Sequence, residues 1–402
     1  MTTRRHMDEL EIGAPVDEAE QRAFRAIADY AFDPSPPLVP DIKNIGRQGP
    51  ENFRLARVGG HVAGGLGMLV MGQWFGGRSV PMVGVNAVAV APEHRSRGIG
   101  SRLLRAMFEE LHARDIPLST LYPATQVVYR RAGYEHAGVA MGYALPAHAL
   151  DPRGRSLEMR RANDSDGDEG TIRALYAERA RRTAGNLDRN DYMWQRKISA
   201  RDTVLNMYIV ERDGAPEGYI VYEQRQSPDE RDRNLAVRDL VALTPEAART
   251  VLAFLADHRS TVDNIQWMGA PADPLLFHLP NQGYKITWYE QWMLRVVDVR
   301  GALTARGYPP ALQAELHVDV RDDILGWNAG RWTLTVDRGR GEVRPGGTGG
   351  VTLDIRGLAP LYSGYLSAEE LRSTGLVEGT ADNLALATLV FGGPSPWMAD
   401  GF

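Results

Sequence analysis

The sequence predicts a mixed α/β chain in which two related units are followed by a third, smaller α/β unit. The first observation is that short strand-like segments alternate with longer segments of helical periodicity. The second is that one order of elements, a strand followed by Pro-Glu and a helix, occurs twice. The third is a rise in glycine content beyond Asp298. A chain of 402 residues exceeds one ordinary core, and we expect domains at residues 1–150, 151–297 and 298–402.

The first unit is predicted to alternate strands and helices around one apolar central strand. Its first helix ends before Pro34, and a turn at Gly59-Gly60 joins the first two strands. The predicted elements, in order, are helix Glu18–Tyr30, strands Phe53–Val58, His61–Met71 and Val83–Val90, helix Arg97–Arg114, strand Pro117–Tyr122 and helix Val127–Arg131.

A linker is predicted at residues 151–156, after which the order of elements begins again. At the sharpest point of the repeat, Pro92-Glu93 follows one strand and Pro245-Glu246 follows the other. The predicted elements are strand Leu157–Arg161, helix Asp168–Arg182, strands Val204–Val210, Gly218–Tyr222 and Val237–Leu243, and, in the third unit, helical segments Leu358–Tyr365 and Leu384–Phe391.

Composition excludes several classes of function. Lysine and arginine total 46 against 51 acidic residues, so the net charge is −5 and no basic nucleic-acid footprint is expected. The absence of cysteine excludes disulfides, thiolate nucleophiles and cysteine-ligated metals, and the histidines show no metal-binding spacing, so we expect no metal. No apolar run is long enough to span a membrane, and the polar N-terminus predicts a cytoplasmic protein.

The segment that predicts chemistry runs from Arg95 to Ser101, between a buried strand and an amphipathic helix, and reads Arg-Ser-Arg-Gly-Ile-Gly-Ser. Free N–H groups and the dipole at a helix start attract phosphate, and glycines let it approach the backbone. A pyrophosphate site is therefore predicted in preference to a plain helix start with solvated arginines. The second unit has Ala247-Ala248-Arg249-Thr250 instead, so we expect it to have no cofactor site.

Arg95-x-x-Gly98-x-Gly100 after the strand Val85–Val90 resembles the acyl-CoA signature of the GCN5-related N-acetyltransferase (GNAT) superfamily. The whole chain resembles the Eis branch, which has an active GNAT domain, a degenerate GNAT domain and a C-terminal domain similar to sterol carrier protein. The segment Val128–Tyr134 and a chain that ends in Phe402 carry this resemblance further.

The resemblance implies acetyl-CoA as co-substrate and assigns residues to it. The strand backbone would pair with the pantetheine arm and the loop would hold the pyrophosphate, with a further contact after the next strand, where Ala124 replaces a family serine. These residues are Val88, Ala89, Val90, Arg95, Ser96, Arg97, Gly98, Ile99, Gly100, Ser101, Ala124 and Thr125.

Acetyl transfer from a thioester to an amine needs a proton acceptor for the amine and a proton donor for the leaving thiolate. The resemblance makes Tyr129 the general acid and the C-terminal carboxylate of Phe402 the general base. From spacing alone, a core tyrosine packed against Tyr134 or Tyr122 is the favoured interpretation of Tyr129, and the resemblance reverses this. An α-carboxylate has a pKa of about 3.5, so a base at Phe402 would have to lie partly buried.

Two further residues are candidates for the substrate pocket. Asp33 follows the first helix and could face a cationic substrate or cap the helix end. Trp74, with Phe75, could line the pocket or form an exposed hairpin tip.

The function that follows is N-acetylation of cationic small molecules, with aminoglycosides as the substrate class implied by the resemblance. Acetylation of a protein or peptide lysine is the alternative within enzymes. A lipid- or ligand-binding role of the third unit is the alternative outside them. The resemblance also implies a homohexamer built as a trimer of dimers.

Overall fold

A computed structural model describes residues 10–163, 167–199, 204–226 and 232–402. The N-terminal residues Met1 to Asp8, on which the expectation of a cytoplasmic protein partly rests, lie outside these ranges. In the described chain, no helix is both long and apolar enough to cross a membrane.

The first unit has the predicted alternation of strands and helices. Its first helix begins where Asp17 accepts a hydrogen bond from the Glu20 N–H, and it ends at the residue before Asp33. The elements are β1 (Leu10–Gly13), α1 (Glu18–Phe32), α2 (Lys43–Gln48), β2 (Phe53–Val58), β3 (His61–Phe75), β4 (Arg78–Val90), α3 (Ile99–Ala113), β5 (Leu118–Leu121), α4 (Gln126–Arg131) and β6 (Glu135–Pro146).

The second unit repeats this pattern, which confirms the predicted order of elements. The elements are β7 (Glu158–Arg161), α5 (Asp168–Arg181), β8 (Leu187–Asp188), α6 (Asp191–Ile198), β9 (Asn206–Arg212), β10 (Ala215–Gln226), β11 (Arg233–Ala242), α7 (Pro245–Ala256), β12 (Asn264–Gly269) and β13 (Lys285–Val296). The sequence interpretation made no prediction for α6 or for the last two strands.

The third unit places a separate sheet against helices. The elements are α8 (Val299–Ala305), β14 (Ala314–Arg321), β15 (Gly330–Asp337), β16 (Arg340–Pro345), β17 (Val351–Asp354), α9 (Ile355–Ser363), α10 (Ala368–Ser373), β18 (Val377–Gly379) and α11 (Ala381–Phe391). The strand order is β16-β15-β14-β17-β18. The two predicted apolar helices are present as α9 and α11.

The first two units share one sheet because each inserts its last strand beside the other. β6 pairs with β12 of the second unit, with Leu145 opposite Ile265, and β13 pairs with β5 of the first, with Met293 opposite Leu121. β6 and β13 also pair with each other at the centre. The sheet that the described residues form has thirteen strands. The two units therefore interlock, and neither has a complete sheet alone.

Helix α3 shows why the first unit folds as its sequence predicts. One face is fully buried, and it consists of Leu103, Leu104, Met107, Phe108 and Leu111. Each such side chain contributes about 1.5–3 kcal/mol on burial. This packing fixes the start of α3, and with it the segment from Arg95 to Ser101, against the edge of β4.

Candidate active site

A cleft of about 340 Å³ opens between α1, β4 and the residues that follow β5. Aromatic and apolar side chains dominate its wall, and its polar side-chain groups are three amides, three tyrosine hydroxyls and one guanidinium. The residues that line it are Phe24, Arg25, Ala28, Phe32, Asn44, Ile45, Gln48, Phe53, Val85, Asn86, Ala87, Val88, Tyr122, Ala124, Tyr129, Tyr192 and Phe402.

The cleft exists because β4 and β5 separate. Their parallel pairing ends at Gly84 and Thr120, whereas β4 remains paired with β3 as far as Val90. A bulge in β4 adds to the divergence: the register with β3 shifts between Gly65 and Gly67, and Ala87 has φ +50°. A left-handed alanine is uncommon and is typical of functional sites. The strand edge from Val88 to Val90 thus diverges from β5, as an extended cofactor arm would require.

The loop before α3 has the backbone geometry of an anion site. Ser96 and Gly98 have positive φ values of 59° and 76°, and no side chain within the described residues caps the start of α3 at Gly98. A Cβ atom added to Gly98 or Gly100 would meet no described atom within 4 Å beyond its chain neighbours and the backbone of α3, so the space beside both is open. The first N–H groups of α3 therefore face a space that an anion can enter.

The loop arginines differ in their environment. Arg95 turns back towards the strand, and its Nε donates a hydrogen bond to the Val90 carbonyl at 3.1 Å. Arg97 is exposed, as are Ser96 and Gly98, whereas Ile99 is buried and anchors the helix start.

Tyr129 lies on α4 and reaches the cleft from one side. Its side chain is 7% exposed, and its ring packs edge-on against Tyr134 with centroids 5.9 Å apart. Burial raises the pKa of Tyr129 to about 12, so its phenol stays protonated throughout the neutral range. Tyr129 therefore packs on Tyr134 and also lines the cleft, while its role as general acid stays a prediction.

Phe402 enters the same cleft from the end of the chain. Its ring packs edge-on against Tyr122, with centroids 5.6 Å apart, and is partly buried. A Cβ atom on Gly84 would lie 2.9 Å from the Phe402 ring, so the glycine makes room for it. The C-terminal residue and the tyrosine of α4 thus share one cavity.

Comparisons with protein families agree with this geometry. Residues 14–137 match a family model described as an acetyltransferase (GNAT) domain, and residues 185–296 match a second model with the same description. Residues 299–399 match a sterol carrier protein domain.

Relatives that match most of the chain extend the agreement. An uncharacterised N-acetyltransferase of Streptomyces avermitilis is 30% identical over 358 residues, covering 81% of this chain and 82% of the relative. A GCN5-related N-acetyltransferase from Anabaena variabilis is 37% identical with a TM-score of 0.91, covering 98% of this chain and 100% of that one. N-acetyltransferase Eis of Mycobacterium tuberculosis is 27% identical over 336 residues, 77% of each chain.

The chain belongs to the Eis-like GCN5-related N-acetyltransferases. It is therefore an acetyltransferase, and acetyl-CoA is the co-substrate that GNAT acetyltransferases use. The predicted fold class, two GNAT domains followed by a sterol-carrier-like domain, is confirmed.

The second GNAT domain of this acetyltransferase differs from the first at the helix start. Its α7 follows β11 almost directly, and the Thr244 side chain accepts a hydrogen bond from the Ala247 N–H at 3.2 Å. This junction has neither a glycine loop before α7 nor an uncapped start of that helix. The anion geometry of the first domain is therefore absent from this described junction.

Trp74 is not among the cleft residues of the acetyltransferase. It is 9% exposed and packs with Tyr176 and Trp194 in the core of the second domain, with Arg181 over its ring. The expectation of an exposed hairpin tip is wrong, because β3 extends to Phe75 and pairs with β8 at Gly72 and Gln73. Pairing and burial together remove Trp74 from the cleft wall.

Asp33 lies at the end of α1, beside the cleft residue Phe32. It is exposed, and its Oδ1 accepts a hydrogen bond from the Ser35 N–H at 2.8 Å. Ala124 lines the cleft, and the exposed Thr125 occupies the N-cap position of α4. A capping role for Asp33 is thus present, while a substrate contact stays a prediction.

Sequence reasoning missed several polar groups on the cleft wall. Buried atoms without a hydrogen-bond partner occur on Arg25 (Nε), Gln48 (Oε1) and Asn86 (Oδ1), all of which line the cleft. Arg25 also forms an ion pair with the buried Asp29. These residues carry no local motif, since they converge only through the packing of α1 and α2 on β4. No cluster of potential metal ligands occurs among the residues described.

Proposed function

We propose that this acetyltransferase transfers the acetyl group of acetyl-CoA to a primary amine of a cationic small molecule, with aminoglycosides as the substrate class. The observation that carries the proposal is the presence of Tyr129 and Phe402 in one cleft beside the splayed edge of β4. The open helix start at Gly98 supports the orientation of the cofactor, with its pyrophosphate at α3 and its thioester towards the cleft.

In this proposal the terminal carboxylate of Phe402 accepts a proton from the amine nitrogen as the N–C bond forms. That nitrogen becomes strongly acidic at this stage, so a carboxylate of low basicity is sufficient. The tetrahedral intermediate then loses coenzyme A, and Tyr129 donates its phenolic proton to the sulfur. The products are an acetamide and the free thiol. The apolar wall around both groups excludes water and strengthens their interactions with the developing charges.

The charge of the cleft bears on the substrate. Among the described residues that line it, Arg25 has the only ionised side chain, and Asp29 neutralises it. Attraction of a cationic amine therefore rests on the terminal carboxylate of Phe402 and on Asp33 at the rim. The cleft volume of about 340 Å³ accommodates an amine-bearing ring, with the rest of a larger substrate outside.

The core of the third domain contains a buried arginine, Arg306, surrounded by aromatic rings. The guanidinium of Arg306 lies 5.1 Å from the Tyr308 and Tyr362 ring centroids and 5.0 Å from that of Phe391. These side chains are 3% exposed or less. Nothing in this packing favours a lipid carrier, and we propose that the domain supplies the C-terminal segment to the cleft.

We also propose that the chain assembles as a homohexamer, a trimer of dimers. Support comes from the first half of β13, where Ile286, Trp288 and Tyr289 are 55–58% exposed. Exposed aromatic residues of this kind are typical of protein interfaces.

The test is thiol release from acetyl-CoA with aminoglycosides, polyamines and lysine peptides, using the native chain, Tyr129→Phe and a chain that lacks Phe402. We expect turnover with aminoglycosides that falls steeply in both variants. Turnover with lysine peptides alone would replace the substrate class. Turnover that survives deletion of Phe402 would remove the proposed base, and no turnover with any amine would overturn the proposal.

A further inference from the structure

The last residues of the chain are held by hydrogen bonds along their backbone. Two come from the first domain: the Val139 carbonyl accepts from the Met398 N–H, and the Tyr122 hydroxyl donates to the Asp400 carbonyl at 2.9 Å. The others come from a stretch of the second domain that begins at Ala184. The Ala184 carbonyl accepts a hydrogen bond from the Trp397 N–H, and the Asn186 side chain donates one to the Trp397 carbonyl at 3.2 Å. The Lys197 ammonium group donates to the Ala399 carbonyl at 3.0 Å. The Arg196 guanidinium donates to the Gly401 carbonyl at 2.8 Å.

The side chain of Asp400 is fixed as well, by a buried ionic cluster. Asp400 is 1% exposed, and its carboxylate lies 3.1 Å from Arg189 and 3.3 Å from Lys197. Arg189 also pairs with Asp239 at 2.5 Å, and its guanidinium lies 3.8 Å from the Tyr176 ring centroid. Removing charges from water is costly, so such a cluster is weak evidence for stability. What it does provide is one defined position for Asp400, two residues before Phe402.

Helix α6 connects the residues that hold the chain end to the cleft. Arg196 and Lys197 lie in its last turn, and Tyr192, in its first turn, is itself a cleft residue. Arg196 lies 5.9 Å from the Tyr192 ring centroid and is otherwise exposed to solvent. One short helix of the second domain therefore supplies part of the cleft wall and also contacts the chain end.

We propose that the second GNAT domain, which has no cofactor loop at α7, positions Phe402 in the cleft of the first domain through Arg189, Arg196 and Lys197. This inference rests on the proposed role of Phe402. Arg196 and Lys197 are positioning residues: they contact the backbone of the terminal segment and act on the reaction only through its last residue.

The experiment combines kinetics with hydrogen exchange. Arg196→Ala removes the hydrogen bond to Gly401, and Lys197→Met removes both the hydrogen bond to Ala399 and the ion pair with Asp400. Arg196→Lys is the conservative variant, and Arg182→Ala is the control. Arg182 is an exposed arginine of the same domain that pairs with Glu178 and, among the described residues, forms no hydrogen bond or ion pair with residues 397–401. We expect Arg196→Ala and Lys197→Met to lower kcat about tenfold with little change in the KM for acetyl-CoA. Arg196→Lys should restore part of the loss, and Arg182→Ala should behave as the native chain.

The decisive comparison places Arg196→Ala in the chain that lacks Phe402. A residue that acts only through Phe402 causes no further loss of kcat in that background, because coupled effects are not additive. A further tenfold loss there would overturn the proposal.

Amide exchange in residues 397–401 gives a readout that does not depend on the base. Arg196→Ala and Lys197→Met should raise exchange there at least tenfold, and Arg182→Ala should not. If deletion of Phe402 leaves kcat unchanged, the proposed base is wrong, and exchange alone decides whether the second domain holds the segment. Unchanged exchange in both variants would overturn the proposal.

Discussion

The hydroxyl of Tyr122 donates a hydrogen bond to the Asp400 carbonyl at 2.9 Å, while its ring packs edge-on against Phe402. Tyr122 directly follows β5, at the point where β4 and β5 separate. Tyr122 therefore lies where the cleft opens and also holds the last residues of the chain inside the cleft. Burial and the nearby Asp400 carboxylate raise the pKa of Tyr122 well above its usual value, so it remains a neutral donor.

Replacement of Tyr129 by phenylalanine tests the proposed acid. We expect kcat to fall about 10²-fold or more, because general acid catalysis contributes typically 10²–10⁴-fold. Burial raises the pKa of Tyr129 to about 12, so the native enzyme should keep its acid protonated, with no falling limb due to this group below about pH 11. A falling limb near pH 9 that disappears in Tyr129→Phe would contradict this.

Tyr134→Phe is the matched control for that variant. Tyr134 is fully buried, packs on Tyr129 and shares a hydrogen bond with Ser119 at 2.7 Å, but it does not line the cleft. Loss of its hydroxyl should cost about 1 kcal/mol of unfolding free energy and leave kcat within about threefold.

Two glycine substitutions separate backbone strain from cofactor approach. Gly98 has φ +76°, so Gly98→Ala should cost about 1 kcal/mol of stability and weaken acetyl-CoA binding. Gly100 lies inside α3 without a positive φ, so Gly100→Ala should keep or slightly raise stability. Its Cβ still projects into open space beside the loop, and we expect the Kd for acetyl-CoA to rise about tenfold in both variants. Unchanged binding in Gly100→Ala, measured by calorimetry, would show that the pyrophosphate lies elsewhere.

Much of the fold could be predicted from sequence because its signals are local. The apolar stripe of α3, the Gly59-Gly60 turn and the repeated Pro-Glu each act within one or two elements. The exchange of β6 and β13 could not be predicted in this way, because strand partners distant in sequence leave no local periodicity.

The candidate active site also combines local features, which the sequence could predict, with contacts between distant residues, which it could not. The backbone around Gly98 is fixed by neighbouring residues and could be predicted from them, whereas the contact between Arg196 and Gly401 joins residues 205 positions apart. Trp74 was misplaced for the same reason, since its ring is buried against Tyr176 and Trp194, residues of the second domain that lie far along the chain.

Gly84→Ala is expected to displace the Phe402 ring. A Cβ at this position would lie 2.5 Å from the Met71 methyl group, and the flexible methionine can move to relieve that contact. The Cβ would also lie 2.9 Å from the Phe402 ring, and this second contact is relieved only when the ring shifts. We expect kcat to fall five- to tenfold. In the chain that lacks Phe402, Gly84→Ala should cause no further loss, and a loss there would place its effect elsewhere on β4.

Trp288→Lys tests the proposed assembly surface. Trp288 is 55% exposed on β13, so a lysine should fold normally and leave the native monomer intact. A charged residue in the core of an apolar interface is unfavourable, and we expect light scattering to show a smaller species than the native chain. Leu389→Lys is the control, because Leu389 is 61% exposed on α11 of the third domain. An unchanged mass in Trp288→Lys would exclude this part of β13 from the interface.

The ionic cluster around Asp400 predicts how stability depends on pH. Arg189 and Lys197 hold the pKa of Asp400 below its usual value, against the effect of burial, and Arg189 does the same for Asp239. Since both folded-state pKa values lie below the unfolded value of about 3.9, the unfolded chain binds more protons in this range. The stability that these groups contribute is therefore present above about pH 5 and is lost as the pH falls towards 2.

Asp400→Asn removes one of these two carboxylates and tests directly whether they make stability fall with decreasing pH. We expect denaturant unfolding to show a loss of about 3–5 kcal/mol at pH 7, where Arg189 and Lys197 lose an ionic partner. Between pH 5 and pH 2 the variant should lose less stability than the native chain, since one fewer carboxylate titrates. Asp213→Asn is the control, because Asp213 is an exposed turn residue with φ +50°, a conformation that asparagine adopts equally well. A variant as pH-sensitive as the native chain would show that Asp400 does not contribute to this dependence.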